Sequence, residues 1–90
     1  MNLTHRKGGD TVNQDKWREA RQARTLMQAH DALSALRPSE DAAPAVWRDY
    51  YLRSARVYAE IAEVDRGHHH EALYWADRER QKAMKPPSQH

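Results

Sequence analysis

Ninety residues make one small domain, because a chain this short can enclose a single core, and the lack of any cysteine excludes a disulfide framework or a Cys-ligated zinc site. The formal net charge of +2 is too small to mark a nucleic-acid binder by itself. Its distribution is more informative: residues 1–30 carry six Lys/Arg against three acids, residues 31–65 four against seven, and residues 66–90 five against three.

Two basic ends therefore flank an acidic middle, an asymmetry suited to pairing between molecules. The apolar fraction of 39% includes 14 alanines and only 14 Leu, Ile, Val or Met residues. Seven aromatics, all Trp or Tyr, must supply much of the burial, and such residues are also common at interfaces. The expectation is a core helped by a second copy of the chain. No stretch approaches the roughly 18 apolar residues of a membrane span, and "MNLTHRKGGD" lacks the apolar run of a signal peptide. A cytoplasmic protein with no membrane contact is expected.

Residues 1–10, with Gly8-Gly9 and mixed charge, read as an N-terminal tail ahead of a domain spanning 11–84. Thr11-Val12-Asn13-Gln14 has capping-box form and starts the first predicted helix, which runs to Arg37 because Pro38 disfavours helical geometry in the residue before it. At 100° per residue Val12, Ala23, Leu26, Met27, Ala29, Leu33 and Leu36 share one arc, with His30 among them. Trp17 falls on the opposite face beside Arg21, Arg24 and Gln28. Shielding of the indole by its i+4 arginine accounts for that placement. The same residues also form a candidate interaction patch, for a protein or, alternatively, a nucleic acid.

"PSEDAAP" is a loop, and Pro44 suits the first turn of a second helix running to about Arg66. Val46, Trp47, Tyr50, Tyr51, Ser54, Ala55, Val57, Tyr58, Ile61, Ala62 and Val64 cover about half its circumference, more than one neighbouring helix normally buries. This helix should be central. Trp47, Tyr50, Tyr51, Tyr58, Ile61 and, from the third helix, Trp75 form a candidate groove or dimer seam. Gly67 stops the helix as its C′ residue, and a third helix follows from about His69 to Met84, ended by Pro86-Pro87. Its inner line is Ala72, Ala76 and Ala83, and residues 85–90 read as a C-terminal tail. The fold class expected is all-α, a three-helix array with a hairpin turning at Gly67.

"DRGHHHEALYWADRER" holds His68, His69 and His70 at that turn. Adjacent residues on a helix lie 100° apart, so the three imidazoles cannot converge, and no H-x-x-x-H pair exists here. A metal site would need Glu63, Asp65 or His30 to converge from elsewhere, which leaves it the weaker alternative to a helix junction. His68 and His69 fall near the Ala72/Ala76 side at the positive end of the third helix, where burial and the helix dipole oppose the imidazolium form. Acidification is therefore expected to weaken the hairpin.

The tract "EIAEVDRGHHHEALYWADRERQKA" resembles a tetratricopeptide-type helical hairpin, in which a glycine ends the first helix and an alanine five residues on, here Gly67 and Ala72, opens the packing of the second. It departs from that pattern in having one hairpin only, Ala76 where a large aromatic is usual, and a second helix too long for a 34-residue repeat. Residues 25–83, and "DRGHHHEALYWA" above all, are similar to a group of small helical actinobacterial proteins of uncharacterised function, a resemblance that implies no activity.

Catalysis has little support in the sequence. Among the serines, Ser34, Ser54 and Ser88 form no nucleophile–base pair, and Ser54 lies within the apolar arc. Glu60-x-x-Glu63 lacks the Glu-x-x-His partner of di-iron helices, and Gly8-Gly9 lacks the Lys-Ser/Thr of a phosphate loop. The expectation is a non-enzymatic interaction or accessory module without cofactor, acting as a homodimer or on another protein. A nucleic-acid-binding regulator is the first alternative. The second is a small-ligand or metal-binding protein using the aromatic seam or the histidines.

Overall fold

The computed structural model describes residues 15–85, and over them the chain is all-α. Helix α1 covers residues 15–21, α2 Leu26–Ala35, α3 Pro44–Val64 and α4 His69–Met84, with a 3-10 turn at Arg66–His68. The Thr11–Gln14 capping box, the 1–10 tail, Val12 and residues 86–90 lie outside the described residues.

The continuous first helix expected from the sequence is instead two helices, broken at 22–25. The cause is a capping box within the segment itself. Thr25 is extended (φ −132°, ψ 158°) and its hydroxyl accepts the backbone N–H of Gln28 at 3.1 Å, while Gln28 Oε1 reaches back to accept the N–H of Arg24 at 2.8 Å. The carboxylate of Asp65, 39 residues away, accepts the N–H of Leu26 at 2.9 Å. Local capping and a tertiary acceptor together satisfy the donors that a new helix start exposes.

The break re-phases the inner face. Ala20, Leu26, Ala29 and Leu33 are buried, whereas Met27, placed on the inner arc by a continuous helix, is 73% exposed. They pack on Val57, Tyr58, Ile61 and Ala62 of α3 and Ala72 and Ala76 of α4.

Pro44 occupies the first turn of α3 as expected, and α3 and α4 form an antiparallel hairpin. The turn does not use a left-handed glycine. α3 ends at Val64, Asp65 is its C-cap, and Gly67 sits inside the 3-10 turn without a positive φ. The requirement for reversal is met by the tight i→i+3 geometry, with His68 N–H donating to Asp65 O at 2.9 Å. A Cβ at Gly67 would meet nothing within 4 Å.

The middle of the wide apolar arc of α3 is covered within the chain, by α1 and α2 on one flank and α4 on the other, while Val46 and Val64 at its ends stay exposed. Ile61, Tyr58 and Tyr50 are 1%, 6% and 7% exposed, so the middle of the expected dimer seam is internal core. Two helical segments where one was expected give the chain an extra surface to fold over α3. Among the described residues no helix is long and apolar enough to cross a membrane.

Candidate binding site

The aromatic seam divides into two clusters. Trp47, Tyr50 and Tyr51 occupy successive turns at the start of α3 with ring centroids 5.5–5.9 Å apart, and Trp17 joins them 6.1 Å from Tyr50. One turn and more further on, Tyr58 stacks on Trp75 of α4 at 6.0 Å, and His30 of α2 meets both rings edge-on. Three of the polar tips are engaged. Tyr50 Oη donates to Leu33 O at 2.8 Å, Trp47 Nε1 to Ser39 O at 3.1 Å, and the Tyr58 hydroxyl is hydrogen-bonded to His30 Nδ1 at 2.7 Å.

Between the clusters, where α2, α3 and α4 meet, lies a polar cavity of about 180 Å³. Its floor holds Ser54 and Glu79, both buried, and His30, Arg37 and Lys82 also line it. Glu79 falls in line with Ala72, Ala76 and Ala83, so the helical repeat of α4 turns a carboxylate inward. Lys82 Nζ meets its Oε2 at 3.3 Å. The Ser54 hydroxyl is buried and makes no well-aligned hydrogen bond, although the Tyr50 hydroxyl, which donates to Leu33 O, lies beside it. Burial, reinforced by the charge of Glu79, pushes the Tyr58 phenol far above its ordinary range. Burial also raises Tyr50, with the adjacent Ser54 opposing and Glu79 adding to the shift. Both tyrosines therefore remain neutral hydrogen-bonding groups across the physiological pH range.

At the histidine triplet the His69 and His70 rings meet edge-on at 5.3 Å, while His68 turns to Asp65. His68 Nδ1 lies 3.0 Å from Asp65 Oδ2, and His69 Nδ1 lies 2.7 Å from the carbonyl of Ala62, while His70 is exposed. A carbonyl only accepts, so Nδ1 of His69 carries a proton and caps the end of α3. Among the described residues no group of three or more His, Asp or Glu is placed to hold a metal ion. Both Nδ1 atoms thus meet polar partners and not the Ala72/Ala76 side expected from the sequence. Asp65 itself is held below the usual carboxylate range, by the Leu26 N–H first and by His68 second.

The predicted outward patch does not form as one surface. Trp17 is half-buried against the core, and the guanidinium over its ring is that of Arg53 from α3, at 5.2 Å, not that of Arg21. The break at 22–25 explains this: α1 ends before the turn that would align Trp17 with Arg24 and Gln28, and Gln28 is committed to the α2 cap. Arg21 does stay near the indole, in a concavity of about 250 Å³ with Arg53, Arg56 and Glu60.

A larger groove of about 570 Å³ runs between the start of α3 and the end of α4. Pro44, Ala45, Tyr51, Leu52, Ala83 and Met84 form its apolar lining, and Arg48, Lys82 and Lys85 outnumber Asp49 around it. Leu52 and Met84 are 45% and 74% exposed.

Sequence patterns alone do not mark Glu79 as a member of a site, and they suggest His30 only as a remote metal ligand. The signal for Glu79 was its spacing of three and four from Ala76 and Ala83, and for His30 its place on the Leu26/Leu33 arc. Comparison with family models, with curated proteins and with solved structures gives no match to this chain.

Proposed function

We propose that the protein is a non-catalytic helical interaction module of the cytoplasm whose contact face is the α3–α4 groove, and that its partner there is a second copy of the chain. The carrying observation is the exposure of Leu52 and Met84 in an apolar groove that the described residues leave uncovered. Charge supports a second copy. The groove end of the hairpin is basic, through Arg48, Lys82 and Lys85, and the far end exposes Glu60, Glu63 and Glu71. A two-fold axis near the middle of α3 sets the basic end of each copy against the acidic end of the other, an isologous contact. Ala59, two turns beyond Leu52, continues the same strip of α3, and Leu73 lies three turns before Met84 on α4. This reading moves the dimer contact from Tyr58 and Ile61 to the outer side of the same helix.

Sedimentation equilibrium tests it. The wild-type chain should associate in the micromolar range, and Leu52→Asp should remain folded and monomeric. A wild-type monomer throughout that range rejects the proposal.

One observation favours a second reading, a nucleic-acid contact: Trp17, Arg21, Arg53 and Arg56 line a single concavity. Retention on single-stranded DNA that falls with salt and is lost in Arg21→Ala would support it, and no retention at low salt would remove it.

A further inference from the structure

The polar cavity at the meeting of α2, α3 and α4 stands out in a core that is otherwise mostly alanine and aliphatic side chains. A buried hydroxyl normally finds a partner, because leaving one unsatisfied is destabilising. Ser54 is 1% exposed and its Oγ makes no well-aligned hydrogen bond, although an alanine would fit the surrounding apolar arc. A buried carboxylate is more demanding still, and Glu79, 7% exposed, rests on one lysine contact of 3.3 Å. A carboxylate can accept about four hydrogen bonds, so the floor of the cavity has acceptor capacity to spare.

We infer that this cavity is a binding site for a small zwitterion of the amino-acid type, whose ammonium group is seated by Glu79 and Ser54 and whose carboxylate faces Arg37. The polarity follows from depth. The most buried groups, Glu79 and Ser54, call for a donor. At the opposite extreme Arg37 is exposed, with its guanidinium 5.4 Å from the Trp47 ring centroid, where it can take an anion. The Tyr58 hydroxyl, fixed by His30, and the Tyr50 hydroxyl, fixed by Leu33 O, supply a rigid neutral wall. A volume of about 180 Å³ corresponds to about six liquid waters, room for a short amino acid and not for a nucleotide or a peptide.

This site lies apart from the α3–α4 groove, so it stands or falls independently of dimer formation. The test uses the full chain with 4-aminobutyrate as probe and ethylammonium and acetate as its two halves, read by the Trp75 indole resonance and by Tm. The expected result is saturable binding of 4-aminobutyrate, tighter than either half, with affinity reduced by about tenfold or more in Glu79→Gln and in Arg37→Ala. Ser54→Ala should raise the Tm of the unliganded protein while weakening binding, a combination that a purely structural serine does not give. No response to 4-aminobutyrate, an equal response to acetate, or undiminished binding in Glu79→Gln overturns the inference.

Discussion

Replacing Ile61 by alanine separates the internal core from any surface shared with a partner. The side chain is 1% exposed and belongs to the cluster formed with Leu33, Ala62, Ala72 and Ala76. Three carbons are lost at about 0.8 kcal/mol each, roughly 2.4 kcal/mol of transfer free energy. A cavity term adds to this, because the alanines of that cluster have no side-chain length with which to refill the space, which brings the expected loss to about 3–4 kcal/mol. At about 4–8 °C per kcal/mol for a domain of this size, Tm should fall by roughly 12–30 °C. Urea unfolding at two protein concentrations tenfold apart is the assay. The loss should be the same at both, since Ile61 stabilises each copy by itself. A loss below about 1 kcal/mol, or association abolished with the fold intact, would refute the placement of Ile61 in the core.

Thr25→Ala should cost about 1 kcal/mol in urea unfolding, the usual value of an N-cap hydroxyl, and an unchanged midpoint would mean that α1 and α2 can fuse without it. Gly67→Ala should stabilise by about 0.4–1 kcal/mol, since φ is not positive and the added methyl meets nothing within 4 Å; a destabilised protein would show that the turn needs a left-handed residue after all. Asp65 has a folded-state pKa below its ordinary 3.8, so its stabilising contribution is present above that value and disappears as pH falls through the lower, folded one. Asp65→Ala should therefore lower Tm clearly at pH 7 and much less at pH 2.5, and an equal deficit at both would break the link to the ionised carboxylate.

What the sequence made legible follows the strength of its local signals. α3 and α4 were read closely because Pro44 fixes one start, helical periodicity runs unbroken for 21 residues, and His69–Met84 is bounded by a turn. The α1–α2 break was missed although "TLMQ" at Thr25–Gln28 has the same T-x-x-Q form as Thr11–Gln14. A capping box inside a run of good helix formers is ambiguous until something accepts the freed N–H groups. Here that acceptor is Asp65, which no local pattern can reveal. The error then propagated: a continuous helix turned Trp17 outward and left the arc of α3 bare, which moved the expected dimer contact onto residues that α2 covers. The cavity was half legible. Ser54 stood out as a hydroxyl on the apolar arc, but only the approach of α2 and α4 brings His30 and Glu79 to it.

Side-chain NMR followed over a hundredfold range of protein concentration tests the interaction face most directly. The account predicts progressive shifts at Leu52 and Met84, which line the open groove, and none at Leu33 and Ile61 inside the core. Spectra that do not change with concentration, or shifts led by Leu33 and Ile61, would contradict it.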